Sequence, residues 1–263
     1  MAENTGVQEK GGGGIVPPLP ERMRPAALDL FLGQSHLEKR LRALLTAEHL
    51  PSLLFCGPPG CGKSTIALIL AKGTGRPFRR ISAPEGGLSQ LRRLVSGVSV
   101  LVADELHRFS KAQQDFFLPL VENGSLTLLA TTTENPSFAV TRQLLSRLTV
   151  LRMRPLGQDE LLTLAKRGAE EMKADISGEV LKMLAELSRG DARALLNLVE
   201  YVAGLPCRDD PESVKEMLPD ILRSQEANGG SHYDLTSALI KSIRGSDPDA
   251  ALYYLACLLE NGE

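Results

Sequence analysis

No stretch of this 263-residue chain approaches 18 uninterrupted apolar residues, so a membrane-spanning helix is not expected. An apolar signal-type segment is also missing near the N-terminus, and the expectation is a soluble protein of a reducing, cytoplasmic compartment with no membrane partner. Cysteine is scarce: Cys56, Cys61, Cys207 and Cys257 show no Cys-x-x-Cys spacing, which suggests neither a zinc site nor a disulfide framework. Charge of one sign is lacking too. The formal net charge is −2, so no global basic field announces nucleic acid, and any such contact must come from a local patch. No Asn-Lys pair occurs, which removes the guanine-reading segment a GTPase would use. Apolar residues, by contrast, make up 43% of the chain, enough at this length for a sizeable core and two domains.

Against that background one segment is dense in chemical meaning. Gly57-Pro58-Pro59-Gly60-Cys61-Gly62-Lys63-Ser64, followed by Thr65, fits the phosphate-cradling pattern GxxxxGK[ST]. The apolar run Leu53–Cys56 leads in as a buried strand, and a helix is expected to start at the loop's end. Glycines let backbone N–H groups approach a triphosphate, Lys63 reaches the β- and γ-phosphates, and the Ser64 hydroxyl is offered to Mg²⁺. The alternative is a Gly-rich structural turn, which the strand before and the helix after disfavour. Cys61 inside the loop reads as a tolerated small residue or as an oxidisable one that would block binding. Cys56 reads as strand packing.

Organisation along the chain follows from periodicity. Residues 1–20, with Gly11–Gly14 and Pro17-Pro18, read as a flexible tail, and order is expected from about Glu21. A helix is expected from about His36 to Glu48. From there to residue 154, short apolar strands alternate with helical stretches, the pattern of a parallel sheet covered on both faces. Ser110-Lys111-Ala112-Gln113 is a capping box, and Pro119 predicts a kink or an early end to the helix it starts. Residues 155–225 carry helical stripes only, among them Val180, Leu181, Leu184 and Leu187 behind Ser177 as N-cap, and read as a small helical lid domain. Gly229-Gly230 reads as a linker within a last region, 226–263, that holds helices at about 235–244 and 248–260.

Val98–Ala103 is a second buried strand, and it ends in Asp104-Glu105. Beside a phosphate loop, Asp104 can hold Mg²⁺ and Glu105 can orient or deprotonate a water. An acid that activates water favours ATP hydrolysis over a kinase, which needs water excluded. The Thr131-Thr132-Thr133 end of the next strand is either a Thr-rich turn or a sensor of the γ-phosphate. Arg147 is either a solvated helix end or a functional arginine, and Arg193, behind Asp191 as N-cap, is open in the same way. Arg79-Arg80, Arg92-Arg93 and Lys111 can form a local basic patch, with solvated faces as the plainer reading.

In order and identity these segments resemble the AAA+ ATPases, and more narrowly the replication-associated recombination protein A family, which includes the Werner helicase-interacting proteins. The residues that carry the resemblance are Pro18–Pro25 with Gly33-Gln34, Gly57–Thr65, Asp104–Phe109 with Gln113-Gln114, and Thr132–Phe138. Leu144–Arg147, Gly190–Arg193, and the run from His232-Tyr233-Asp234 to Tyr253–Ala256 complete it, so that it spans about residues 18–263. The resemblance implies an α/β P-loop sheet over 21–154, the helical lid over 155–225, and the start of a helical oligomerisation region over 226–263. It implies Thr132 or Thr133 as the sensor, with Thr133 preferred, and Arg147 as an arginine finger lent to a neighbouring subunit. Arg193 would be the lid arginine, and Arg24, Pro25 and Gln34 would line the adenine pocket. ATP and Mg²⁺ are the implied ligands. The implied partners are DNA forks and single-strand/double-strand junctions without sequence preference, replication proteins, and further copies of the chain in a tetramer. The implied location is cytoplasmic, at the nucleoid. Departures are a short stretch between Ile81 and Val98 and Leu148 where a cysteine often follows the finger. The family pattern also continues past Glu263 into the helical region tied to tetramer formation. The rival expectations are a clamp-loader or branch-migration motor of the same architecture, and an ATP-binding adaptor with little turnover.

Overall fold

A computed structural model describes residues 16–83, 87–218 and 232–260. Contacts divide the chain into two units, Met1–Pro206 and Cys207–Glu263. Helix α1 (Leu19–Arg22) begins two residues before the expected start of order, because Leu19 is fully buried and its N–H donates to Glu200. The tail up to residue 15 and the Gly229-Gly230 linker lie outside the described residues.

Five parallel strands form, apolar and buried at the centre and more polar at the two edges: β1 (Leu53–Cys56), β2 (Phe78–Ile81), β3 (Val100–Ala103), β4 (Thr127–Thr132) and β5 (Thr149–Arg152). Their order is β2-β3-β4-β1-β5. Alternate residues of the central strands feed two separate cores, as a strand's period of two demands. Leu53, Phe55, Val100, Val102 and Leu129 pack with Leu41 of α2 (Glu38–Thr46) and with Ile66 and Leu70 of α3 (Lys63–Gly73). Leu54, Leu101, Ala103, Leu128 and Ala130 face the other way. They meet Leu91 of α4 (Gly87–Val95) and Phe117 of α5 (Lys111–Glu122), with Leu144 behind them. Burying one such Leu or Phe contributes roughly 1.5–3 kcal/mol, which is why these strands can be fully apolar.

Local signals set the helix ends. Ser110 Oγ accepts from Gln113 N–H at 3.3 Å while Gln113 Oε1 accepts from Ser110 N–H at 2.9 Å, the expected capping box. The helix does not end early at Pro119 but runs on to Glu122, since the proline falls in its last turn. Two short helices, α6 (Pro136–Ala139) and α7 (Arg142–Leu145), lead from β4 to β5. Three more helices follow the sheet in the first unit, α8 (Gln158–Met172), α9 (Gly178–Leu187) and α10 (Ala192–Ala203), giving the helical lid. Ser177 caps α9 by accepting from Val180 N–H at 3.3 Å, as its sequence position predicts. The second unit holds helices Pro211–Met217, His232–Arg244 and Pro248–Glu260, the last two packed on each other.

The strand order places the site. β1 lies beside β4, and β4 beside β3, so the loops leaving the three C-terminal ends converge at one edge, outside the carboxyl ends of the strands.

Candidate functional site

The loop from Gly57 to Gly62 joins β1 to α3 and is held open by two glycines with left-handed backbones, Gly60 at φ +65° and Gly62 at φ +93°. A Cβ on Gly60 would fall 1.9 Å from Asp191 Oδ1, and one on Gly62 would fall 2.4 Å from Phe31. Glycine is therefore dictated twice over, by conformation and by close approach. Asp191 is the N-cap of α10, accepting from Arg193 and Ala194 N–H at 2.8 and 2.9 Å, so the lid helix begins against the loop itself. The free N–H groups of the first turn of α3 face the loop, where the helix dipole favours an anion.

Lys63 is 6% exposed, and its ammonium donates to the carbonyls of Gly57 and Pro58 at 2.9 and 2.7 Å. It is thus held inside the loop with two donors already directed. Ser64 Oγ donates to Asp104 Oδ1 at 2.6 Å, joining the head of α3 to the end of β3. Asp104 also accepts from Thr131 Oγ1 at 3.3 Å and from Arg80 Nε at 2.5 Å. Arg80 therefore turns into the site rather than joining a surface patch with Arg79, whose guanidinium donates to Leu94 O.

Glu105 follows with a left-handed backbone, φ +53°, uncommon for a residue with a side chain. Its N–H donates to Thr131 Oγ1 at 3.0 Å, and its Oε2 accepts from Thr133 Oγ1 at 3.3 Å. Of the two candidate sensors, exposed Thr133 reaches the acid, while Thr132 is fully buried and meets His107.

A cavity of about 700 Å³ opens between loop and lid. Pro59 to Thr65, Glu105, Arg193, Arg24 and Pro25 all border it. Its apolar part comes from Leu30, Phe31, Leu156, Leu164 and Leu196. Glu21 and Arg24 pair across 2.6 Å at its rim, and that hydrogen bond holds the Glu21 carboxyl below its ordinary pKa. Gln34 is not part of the cavity wall. It is buried, with Oε1 accepting from Arg154 N–H at 2.9 Å and Nε2 donating to Arg154 O at 2.6 Å, a two-point tie to the segment just after β5, and Nε2 also lies 3.5 Å from Cys61 O of the phosphate loop. Arg147 also lies off the cavity, paired with Glu122 at 2.6 Å and donating to Gln143 O at 2.7 Å.

Among the described residues no group of three or more His, Cys, Asp or Glu could hold a metal unaided. One carboxylate and one hydroxyl suit Mg²⁺, which keeps its waters and takes further oxygens from phosphates. The donor set and the glycine cradle therefore fit a magnesium–nucleotide complex. No described helix is long and apolar enough to cross a membrane.

Cys61 is fully buried, and burial pushes its thiol pKa up. Thiolate is the nucleophile, so a raised pKa leaves less of it at neutral pH, and the buried sulfur is shielded as well. Alkylation of the native protein by iodoacetamide is expected to spare Cys61 and to label it once guanidinium unfolds the chain. Mass spectrometry of the tryptic peptide reads both states, and rapid native labelling would refute the placement.

Arg80 and His107 were not singled out from sequence as site residues, and Thr131 enters there only as part of the Thr131-Thr132-Thr133 strand end. For Arg80 nothing distinguishes it from Arg79 except the strand's alternation.

A family model described as the Holliday junction DNA helicase RuvB P-loop domain matches residues 23–153, and one described as the AAA C-terminal domain matches residues 170–244. The replication-associated recombination protein A of Haemophilus influenzae is 39% identical over 272 residues, covering 93% of this chain and 60% of that protein. Its namesake in Escherichia coli is 37% identical over 271 residues, with 93% and 61% covered. The chain thus spans about 60% of the length of these relatives. Among solved structures, the Thermotoga maritima RuvB Holliday junction branch migration motor superposes with a TM-score of 0.67 at 27% identity, over 84% of this chain and 79% of that one.

Proposed function

The chain belongs to the replication-associated recombination protein A family of AAA+ ATPases, and from that premise we propose that it hydrolyses ATP with magnesium, in an assembly stimulated by DNA forks and single-strand/double-strand junctions. The observation that carries this reading is the 2.6 Å bond from Ser64 to Asp104, with Glu105 on the wall of the same cavity.

Loop N–H groups and the head of α3 receive the phosphates, and Lys63 exchanges two loop carbonyls for phosphate oxygens. Ser64 and Asp104 are the residues that would hold magnesium, which would offset the negative charge of the phosphates. Glu105 accepts the proton of the attacking water. Thr133 orients that acid and senses the γ-phosphate. Arg24 and Pro25 take the adenine side of the cavity, and Arg193 at the start of α10 lets the lid respond to phosphate. Residues 155–225 then act as the lid, and 226–263 open the assembly region. Arg147 is off its own cavity, which supports donation to a neighbouring protomer, where it meets transition-state charge. DNA contacts go to phosphates, so they carry no sequence preference. Replication proteins at the fork, a cytoplasmic location at the nucleoid and a tetramer complete the reading.

The test is specific ATPase rate against protein concentration, with and without forked DNA, with Lys63→Ala as the control. The rate per protomer is expected to rise with concentration and again with DNA, and the DNA effect to fall steeply with salt. A rate per protomer that is flat with concentration and indifferent to forks would remove both the assembly and the DNA parts. A branch-migration motor is the second reading, favoured by the likeness to the Thermotoga maritima structure. Stimulation by four-way junctions well above that by forks would select it.

A further inference from the structure

His107 belongs to the segment Asp104–Phe109, yet none of the steps above uses its ring. It lies in the short turn Leu106–Arg108 that follows Glu105. The side chain is 15% exposed, with Nδ1 3.2 Å from Glu105 Oε2 and 3.1 Å from Thr132 Oγ1. Nε2 is 3.9 Å from Glu134 Oε1. We propose that His107 is the positioning residue for Glu105, its Nδ1 edge, anchored on Thr132, standing against Oε2 so that Oε1 is the oxygen presented to water. This rests on the reading of Glu105 as the acid that activates water.

Nδ1 stands close to two oxygens at once, hydrogen-bonded to Thr132 Oγ1 at 3.1 Å and lying 3.2 Å from Glu105 Oε2. Thr132 Oγ1 also accepts from Glu134 N–H at 3.1 Å, which anchors the hydroxyl beneath the ring. Thr133 Oγ1 donates to Oε2 at 3.3 Å, so that oxygen has a hydroxyl donor and the imidazole edge beside it. Among the described residues, Oε1 has neither. The backbone of Glu105 is held as well, by the bond from its N–H to Thr131 Oγ1. Thr131, Thr133 and an imidazole anchored on Thr132 thus restrain the acid at both ends. A general base gains its rate from being held in reach of the proton it takes, and small misplacements are costly.

The geometry of the substitutes separates positioning from mere packing. An Asn at 107 can place an amide N–H near the Nδ1 position, a Gln carries its amide out to the Nε2 position, and an Ala offers nothing. His107→Ala and His107→Gln are expected to lower kcat about 10- to 100-fold. Affinity for a fluorescent ATP analogue should stay within about twofold of the parent. His107→Asn should restore most of the rate. Equal losses in the Asn and Gln variants, or loss of nucleotide affinity in step with rate, would overturn the proposal. A thermal-unfolding cycle of parent, His107→Ala, Glu105→Ala and the double variant reads the contact without turnover. Non-additive midpoint shifts are expected, and additive ones would also overturn it. A parent that binds ATP but never cleaves it would sink the hydrolytic reading alone, and the cycle would still decide whether His107 holds Glu105.

Discussion

Glu105→Gln is expected to bind ATP as tightly as the parent and to cleave it about 10²- to 10⁴-fold more slowly, the range a general base contributes. The amide has the shape of the carboxylate and can keep an oxygen where Thr133 donates, beside the His107 ring, so the site's geometry survives. What it lacks is a basic oxygen to accept the proton of water. Loss of about 10³-fold corresponds to roughly 4 kcal/mol of transition-state stabilisation with none of ground-state binding. Phosphate release under saturating ATP gives the rate, and equilibrium binding of a fluorescent analogue gives the affinity. Because Asp104 rather than Glu105 bonds Ser64, magnesium dependence of binding should be unchanged. The role assigned to Glu105 is falsified if the variant turns over like the parent. A variant that loses affinity as well would show that the acid shapes the pocket rather than the water.

Much of this site is visible in the sequence because it depends on spacing within single segments. Gly57–Thr65 states strand, loop and helix in one run, and the structure puts β1, the glycine turn and α3 where that run predicts. Short buried strands, one of four residues running into Asp104-Glu105 and one of six running into Thr132-Thr133, state the sheet edge. Contacts between segments are another matter. Arg80 meets Asp104 only because β2 pairs with β3 in a register that sets Ile81 beside Ala103, and one residue of slip would turn it outward. The family resemblance puts Gln34 at the adenine pocket, while its side chain is tied to Arg154, a partner 120 residues away that no local pattern names, and reaches Cys61 O of the phosphate loop at 3.5 Å. The Gly60 contact with Asp191 is of the same kind. Side chains reaching across the fold are specified by packing, which sequence periodicity does not record.

Arg147→Ala is expected to cost the assembled protein about 10³- to 10⁵-fold in turnover, the range in which arginine fingers act, while its protomer keeps nucleotide affinity. The arginine stands outside its own cavity, so under the proposed reading its effect falls on another copy. In this chain it pairs with Glu122 on the surface, both side chains well exposed, and such a pair holds it by only about 0–1 kcal/mol. It can therefore leave Glu122 for a phosphate at little cost. Mixing distinguishes donation in trans from action in cis. An Arg147→Ala protomer retains an intact Glu105, and a Glu105→Gln protomer retains an intact Arg147. At interfaces where the second faces the active site of the first, one complete site forms from two inactive variants. Random association in equal amounts leaves about a quarter of sites complete, since each needs its own acid and its neighbour's arginine. A mixture that recovers roughly that fraction of parent turnover, while each variant alone stays inactive, places the arginine in trans. If the mixture stays as inactive as its components while size-exclusion chromatography shows the two variants in one assembly, Arg147 does not reach its neighbour, and the rise of rate with concentration must have another source.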